Sequence, residues 1–297
     1  MHARLGRFSA LTVLVVMLAA SASGFAGSIP SPRVVSERFE TDPLTRADIV
    51  LEGDALARLT WNDDAPAFPG DRPGSLTALY DSRLPAGRIG WPLPSPWDQS
   101  DTFRASAVFV IDPDGLVADP FGFFQISWSL WNSKHTGLER TGTFTSFAAD
   151  TFELLEFAYF PNVSPFFGGP FLSPSTFGVA DPENPSFDLL GGFVNFAFGS
   201  VAAELPVGQP LVAVLSHRPA EGVLVATVAT LDSRGIRVPI PGAVAVVPLA
   251  SLPIREYSLD TLGLTLWHDG FGGDPPSLRA EVVFHEISAA PAALADR

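Results

Sequence analysis

Thr151-Phe152-Glu153-Leu154-Leu155-Glu156-Phe157-Ala158-Tyr159-Phe160 sets two carboxylates three residues apart in an otherwise apolar, aromatic run. A carboxylate in such surroundings is costly unless it is paired, hydrogen-bonded or used. Two carboxyl groups held about 5–5.5 Å apart can act as nucleophile and acid/base on a glycosidic bond. The same groups on one face of a groove could instead bind hydroxyls. Geometry decides between these. Side chains alternate along a strand, so Glu153 and Glu156 fall on opposite faces of a regular strand and meet only across a bulge. If the chain catalyses anything, Glu156 and Glu153 are the residues to carry it.

Other residue types point to binding. Trp91-Pro92-Leu93-Pro94-Ser95-Pro96-Trp97 reads as a proline-stiffened loop presenting two indoles, and Trp131 with Asn132 ends a strand. Aromatic platforms beside planar polar groups are what a sugar requires. Asp112, Asp114 and Asp119 gather hard oxygens around Gly115, so calcium is the one metal these residues would suit. Turn formation explains Asp112-Pro113-Asp114-Gly115 without any ion, and no cofactor is expected. The histidines have no zinc-ligand spacing and there is no cysteine. No G-x-S-x-G elbow and no glycine-rich phosphate loop occurs.

These residues must be positioned by strands. The 28 Pro and 26 Gly leave few windows long enough for a helix. Between them lie short runs rich in Val, Phe, Thr and Leu, the pattern of an all-β sandwich. Expected strands include Val34–Glu40, Ala55–Trp61, Thr77–Asp81, Thr102–Ile111, Gly122–Trp131, Thr151–Phe160, Gly192–Phe198 and Pro210–Ser216. Val223–Leu231, Arg237–Ile240, Ser258–His268 and Ser277–Ile287 follow. Phe103, Ala105, Ala107 and Phe109 alternate with Arg104, Ser106, Val108 and Val110, so one face should meet a core. Residues 161–188 are too long for a hairpin loop.

The ends and the charge bound the setting. Arg4 and Arg7, the apolar run Ser9–Ala20 and the small residues Ala20-Ser21-Ala22 form a secretory signal pattern over residues 1–26. Residues 27–297 then make one domain with a tail fraying from about Ala289. A secreted, periplasmic or cell-surface place follows, with no membrane segment after cleavage. The formal net charge of −14 disfavours nucleic acid, whose phosphates need a basic stripe, and leaves neutral glycans open.

Val35-Ser36-Glu37-Arg38-Phe39-Glu40-Thr41-Asp42-Pro43, the hairpin from Pro210 to Ile240, and the closing pair Asp260–Trp267 and Ala280–Ile287 together resemble the concanavalin A-like lectin and glucanase superfamily. The resemblance spans most of the chain after residue 26. It implies a two-sheet antiparallel β-sandwich of jelly-roll type, whose last strand returns beside the first. Laminarinase-type glucanases of that fold carry E-x-D-x-x-E on one strand. Aligned here, Glu156 takes the acid/base position and Glu153 the middle one. Thr151 stands where the nucleophile belongs, and a hydroxyl without a nearby base is a poor nucleophile. The resemblance therefore implies an exported, non-catalytic glycan-binding or surface/matrix protein, with Trp91, Trp97, Trp131, Glu153 and Glu156 about the ligand. A divergent glycoside hydrolase or polysaccharide lyase, and a structural surface protein without a small ligand, are the alternatives.

Overall fold

The structure, a computed structural model, describes residues 34–63, 74–81, 83–117, 125–138, 142–143, 146–147, 153–161, 170–177, 200–252, 256–268 and 278–292. The amino-terminal signal pattern, Asp119, Thr151 and the strand expected at Gly192–Phe198 lie outside them.

Strands β1 (Val35–Glu37), β2 (Val50–Gly53), β3 (Leu59–Asn62), β4 (Ser75–Asp81), β5 (Gly87–Asp98), β6 (Phe103–Ile111) and β7 (Ile126–Trp131) build the first half. The short β8 (Gly142–Thr143) and β9 (Ser146–Phe147) precede β10 (Leu154–Phe160), β11 (Phe171–Leu172), β12 (Ser175–Phe177) and β13 (Val201–Ala202). The last five are β14 (Leu211–Arg218), β15 (Val223–Leu231), β16 (Arg237–Pro248), β17 (Ser258–Leu266) and β18 (Arg279–Pro291). Every pairing is antiparallel. One sheet runs β16-β15-β14-β6-β18-β4-β3 with β1 also on β18. The other runs β13-β11-β10-β7-β17-β5-β2 with β12 also on β10. The two sheets pack as a β-sandwich, as the strand-and-turn pattern predicts.

The core lies between them. Phe103, Ala105, Ala107, Phe109 and Ile111 of β6 meet Trp128 and Leu130 of β7 and Leu155, Phe157 and Tyr159 of β10. In β18 the inward set Ala280, Val282 and Phe284 becomes Ile287 and Ala289, because the register with β6 shifts between Phe284 and Glu286. One extra residue moves the alternation to the other parity. Polar ties also cross between the sheets. The Tyr80 hydroxyl donates to the Ser127 carbonyl at 2.7 Å. The buried Arg58 guanidinium donates to the carbonyls of Leu79, Pro85 and Asp81 and, from the other sheet, Leu266.

Several expectations change, and the strand expected at Val34–Glu40 is paired only over Val35–Glu37. Ala55–Arg58 is a single helical turn, α1, ahead of a shorter strand. Trp91–Trp97 is not a loop but the body of β5, the longest strand of its sheet. Pairing in β16 continues through Pro248, well beyond Ile240. β18 stays paired to Pro291, and Ala289 is buried, so the chain does not fray at 289.

Candidate functional site

The pairing of β10 with β7 runs without interruption from Leu154–Trp131 to Tyr159–Ile126. The Asn132 amide donates to the Glu153 carbonyl at 2.9 Å, which continues the same register one residue further. No bulge separates Glu153 from Glu156, so the two carboxylates lie on opposite faces.

Glu153 fastens three segments. Its carboxylate accepts from Asn132 Nδ2 at 2.8 Å and from the Ser258 amide at 3.1 Å, and it meets His135 Nδ1 at 3.0 Å. Thr136 Oγ1 donates to its carbonyl as well. The loop after β7 and the start of β17 are thereby held to β10.

Glu156 points to the outer face of the second sheet and is fully buried. It accepts from Gln125 Nε2 at 2.8 Å, Thr265 Oγ1 at 3.0 Å and Trp267 Nε1 at 2.6 Å. Trp131 shares this face. Its ring lies over Gly263 and Gly90, where an added Cβ would stand 2.5 Å from ring carbons. Arg88 lies 5.2 Å from the ring centroid and is ion-paired with Glu52. Burial pushes the Arg88 guanidinium below its ordinary value. Arg88 Nη1, Ser129 Oγ and Trp131 Nε1 are buried with no hydrogen-bond partner among the described residues. This face is polar but shut off from solvent.

Trp97 is buried in the core, stacked on Phe103 at 4.8 Å. Of the five residues expected about a ligand, Trp91 borders an open cleft, of about 420 Å³. The cleft lies where β1 of one sheet approaches Trp91 and Pro92 of the other. Glu37 stands at its centre. Its Oε2 accepts from Arg46 Nη1 at 2.5 Å and from Trp91 Nε1 at 3.0 Å, and its Oε1 accepts the Phe39 amide at 2.9 Å. Arg46 reaches on to Asp48 through Nε at 3.1 Å and Nη2 at 2.7 Å. That hydrogen-bonded pairing raises the Arg46 pKa and lowers that of Asp48.

Phe39 makes this cleft. It is the only non-glycine residue with positive φ among those described, at 57°. Such a conformation costs roughly 1 kcal/mol or more and persists where its surroundings over-determine it. Here the Phe39 side chain is buried edge-on to Trp91, with ring centroids 5.9 Å apart, and its carbonyl accepts from Trp61 Nε1 at 2.8 Å. Gly74 packs so closely that an added Cβ would lie 2.8 Å from the Phe39 carbonyl carbon. The left-handed turn sends Phe39 inward and brings both Glu37 and Glu40 to the cleft wall. Glu37 and Glu40 have the spacing of Glu153 and Glu156, but the kink unites them where the regular strand divides the other pair. Sequence reasoning placed residues 35–43 in an opening strand and did not single out Glu37, Glu40 or Arg46 as ligand-facing. The signal available was the repeated Glu-x-x-Glu spacing.

For the turn at Asp112, the side chain accepts the Asp114 amide at 2.9 Å, the local bond that such a turn needs. No group of three His, Asp or Glu side chains able to hold a metal occurs among the described residues. No helix among them is long and apolar enough to cross a membrane.

No family model matches the chain, and no curated protein matches it in sequence. Several solved structures are similar. The lectin UEA-II complexed with galactose aligns over 86% of this chain and 98% of its own, at 13% identity and a TM-score of 0.41. Peanut lectin with a nine-residue peptide aligns over 86% and 96%, at 15% identity and 0.41. The Emp47p carbohydrate recognition domain aligns over 88% and 96%, at 10% identity and 0.42. Residue roles do not transfer at such identity, and the sandwich rests on the strand pairing itself.

Proposed function

We propose that this chain is an exported, non-catalytic glycan-binding protein that holds sugar in the cleft beside Glu37. The observation that carries this reading is the cleft: about 420 Å³, open to solvent, with planar charged groups preset beside Trp91. That volume lies in the range of small-ligand sites. Ser36 and Thr41 add hydroxyls, and Val35, Ile49 and Pro92 add apolar surface for the carbon skeleton of a sugar. Arg46 is fixed by Glu37 and Asp48 before any ligand arrives, so little ordering accompanies binding. The signal pattern over residues 1–26 supports export.

Hydrolysis through Glu153 and Glu156 has no support in their geometry. Opposite faces give no reacting carbon access to both, and each carboxylate is engaged by several donors.

A glycan array tests the proposal. Binding is expected for the protein lacking residues 1–26, and a Thr41→Ala/Asp48→Ala double variant should lose about thirty-fold in affinity, since each of the two lost polar contacts is worth about 1 kcal/mol. Both residues are exposed, so folding should survive. Silence across the array, or unchanged binding by the double variant, would overturn the assignment to this cleft.

A further inference from the structure

We infer that the outer face of the sheet that begins at β16, over β16, β15, β14 and β6, is the interface of a reversible homodimer of this chain. The inference is independent of the glycan reading, since none of these strands lines the cleft beside Glu37.

Cross-strand partners share a face, so the register fixes which side chains point outward. One rung joins Val246, Val225, Ser216 and Arg104. The next joins Val244, Thr227, Val214 and Ser106, and a third joins Pro239, Ala229, Val212 and Val108. The rung between the first two, Ala245, Ala226, Leu215 and Ala105, belongs to the core, so these three point away from the other sheet. Val244 and Val246 are 52% and 49% exposed, and the outward residues of β15 and β6 are half-buried. A contiguous apolar surface of this kind marks a site of association.

The occupant follows from charge and area. The chain carries 32 Asp and Glu, yet none occurs anywhere in these four strands. Arg104, Arg218 and Arg237 stand at strand ends, and Arg218 is paired with Glu221. Two copies with a net charge of −14 repel each other, and they do so least where acids are missing. With strands about 4.8 Å apart and outward side chains about 6.8 Å apart along each, about seventeen outward positions make a face of about 550 Å². Two such faces bury about 1,100 Å², just above the threshold of about 1,000 Å² for a specific interface. That area suits a dimer in exchange with its monomer.

β16 is also the edge of its sheet, but Pro239, Pro241 and Pro248 interrupt its row of N–H donors. Continuation of the sheet into a second copy is therefore disfavoured, and the face is left. Face-on-face packing asks for small branched side chains on a regular sheet, and a two-fold axis makes such a face its own complement.

Sedimentation velocity of residues 27–297 across the micromolar range tests this. A mass that rises from one copy to two with concentration is expected, and a mass fixed at one copy would overturn the inference. Val244→Glu/Val246→Glu should be monomeric where the native chain is dimeric, with Tm unchanged because both valines are about half exposed. Val244→Thr/Val246→Thr keeps the branched shape and should weaken the dimer about ten-fold, through lost apolar area. Val238 is 48% exposed on the same strand, but its partners Thr230 and then Leu211 set it on the opposite face. Val238→Glu should therefore leave the dimer intact. Loss of the dimer in Val238→Glu, or its survival in Val244→Glu/Val246→Glu, would overturn the assignment to this face. Added NaCl should tighten the dimer by screening the repulsion between acidic copies. Dissociation in salt would overturn the inference by showing that ion pairs carry the contact.

Discussion

Two pairs of glutamates with one spacing meet opposite fates, and one residue explains the difference. Between Glu153 and Glu156 the backbone is regular, and an even register with β7 sends them to opposite faces. Between Glu37 and Glu40 stands Phe39 at φ 57°, and both acids reach the same cleft. A sequence gives no sign of a left-handed phenylalanine, since the conformation is imposed by its burial against Trp91, by Trp61 and by Gly74. The carboxylate of Glu156 serves the fold. Thr265→Val, which removes one of the donors to it, should cost about 1–3 kcal/mol, read as a lower denaturation midpoint in urea. Ser129→Ala on the same face should cost nothing or stabilise slightly, because its hydroxyl is buried without a partner among the described residues. If Ser129→Ala destabilised as much as Thr265→Val, the hydroxyl would have a partner of its own.

β5 shows how a strand hides in plain sequence. Three prolines in seven residues read as a loop, yet Trp91, Leu93 and Trp97 are buried while Pro92, Pro94 and Pro96 are exposed. The period-2 alternation was legible, but the prolines outweighed it. They are tolerated because β2 covers β5 only from Gly87 to Gly90, leaving the rest as a sheet edge where no N–H is needed. β6, β10 and β15 were legible because apolar runs there match a single buried face or a doubly buried strand. The buried faces of β7 and β10 could be foreseen; that the outer face is buried too could not, since nothing local encodes what lies over a sheet. Glu153 acts at this same scale, tying β10 to the loop after β7 and to β17. Glu153→Gln keeps the shape but loses the charge-assisted bonds, and about 1–3 kcal/mol should go with them. Hydrogen exchange should quicken at Ser258 and Asn132 before it does so in β6. Uniform quickening across both sheets would show that Glu153 is not a local clasp.

For the whole molecule, the question is how a chain without disulfides holds two large sheets together. Apolar burial does most of it, and a few buried polar groups fix how the sheets meet. Arg58 is the firmest: its fork serves carbonyls of both sheets, a task a lysine ammonium cannot match in geometry. Arg58→Lys should therefore lower stability by more than about 2 kcal/mol, and Arg58→Met by more, as the carbonyls lose their donors.

His217 makes the assembly sensitive to pH. It is fully buried, stacked on Phe103, with Nδ1 2.6 Å from the Asp101 carbonyl and Nε2 2.5 Å from the Tyr257 hydroxyl. The carbonyl requires a proton on Nδ1, so Nε2 accepts from Tyr257 and the ring is neutral. Burial lowers the His217 pKa despite the opposing pull of the Asp101 carbonyl and of the Asp101 and Asp98 charges. The same burial raises the Tyr257 hydroxyl above its ordinary value and keeps it a donor. In the unfolded chain the imidazole titrates near 6.5, above its folded value. The stability that His217 contributes is thus complete above pH 6.5 and declines as pH falls from there toward the folded pKa. Asp48, whose pKa lies below 3.8, acts only in a lower window. Urea midpoints measured from pH 8 to pH 5 should fall for the native chain. In His217→Gln the curve should start lower, because the stacked pair is lost, and run flatter over that interval. An equally steep fall in the variant would assign the pH dependence to other groups.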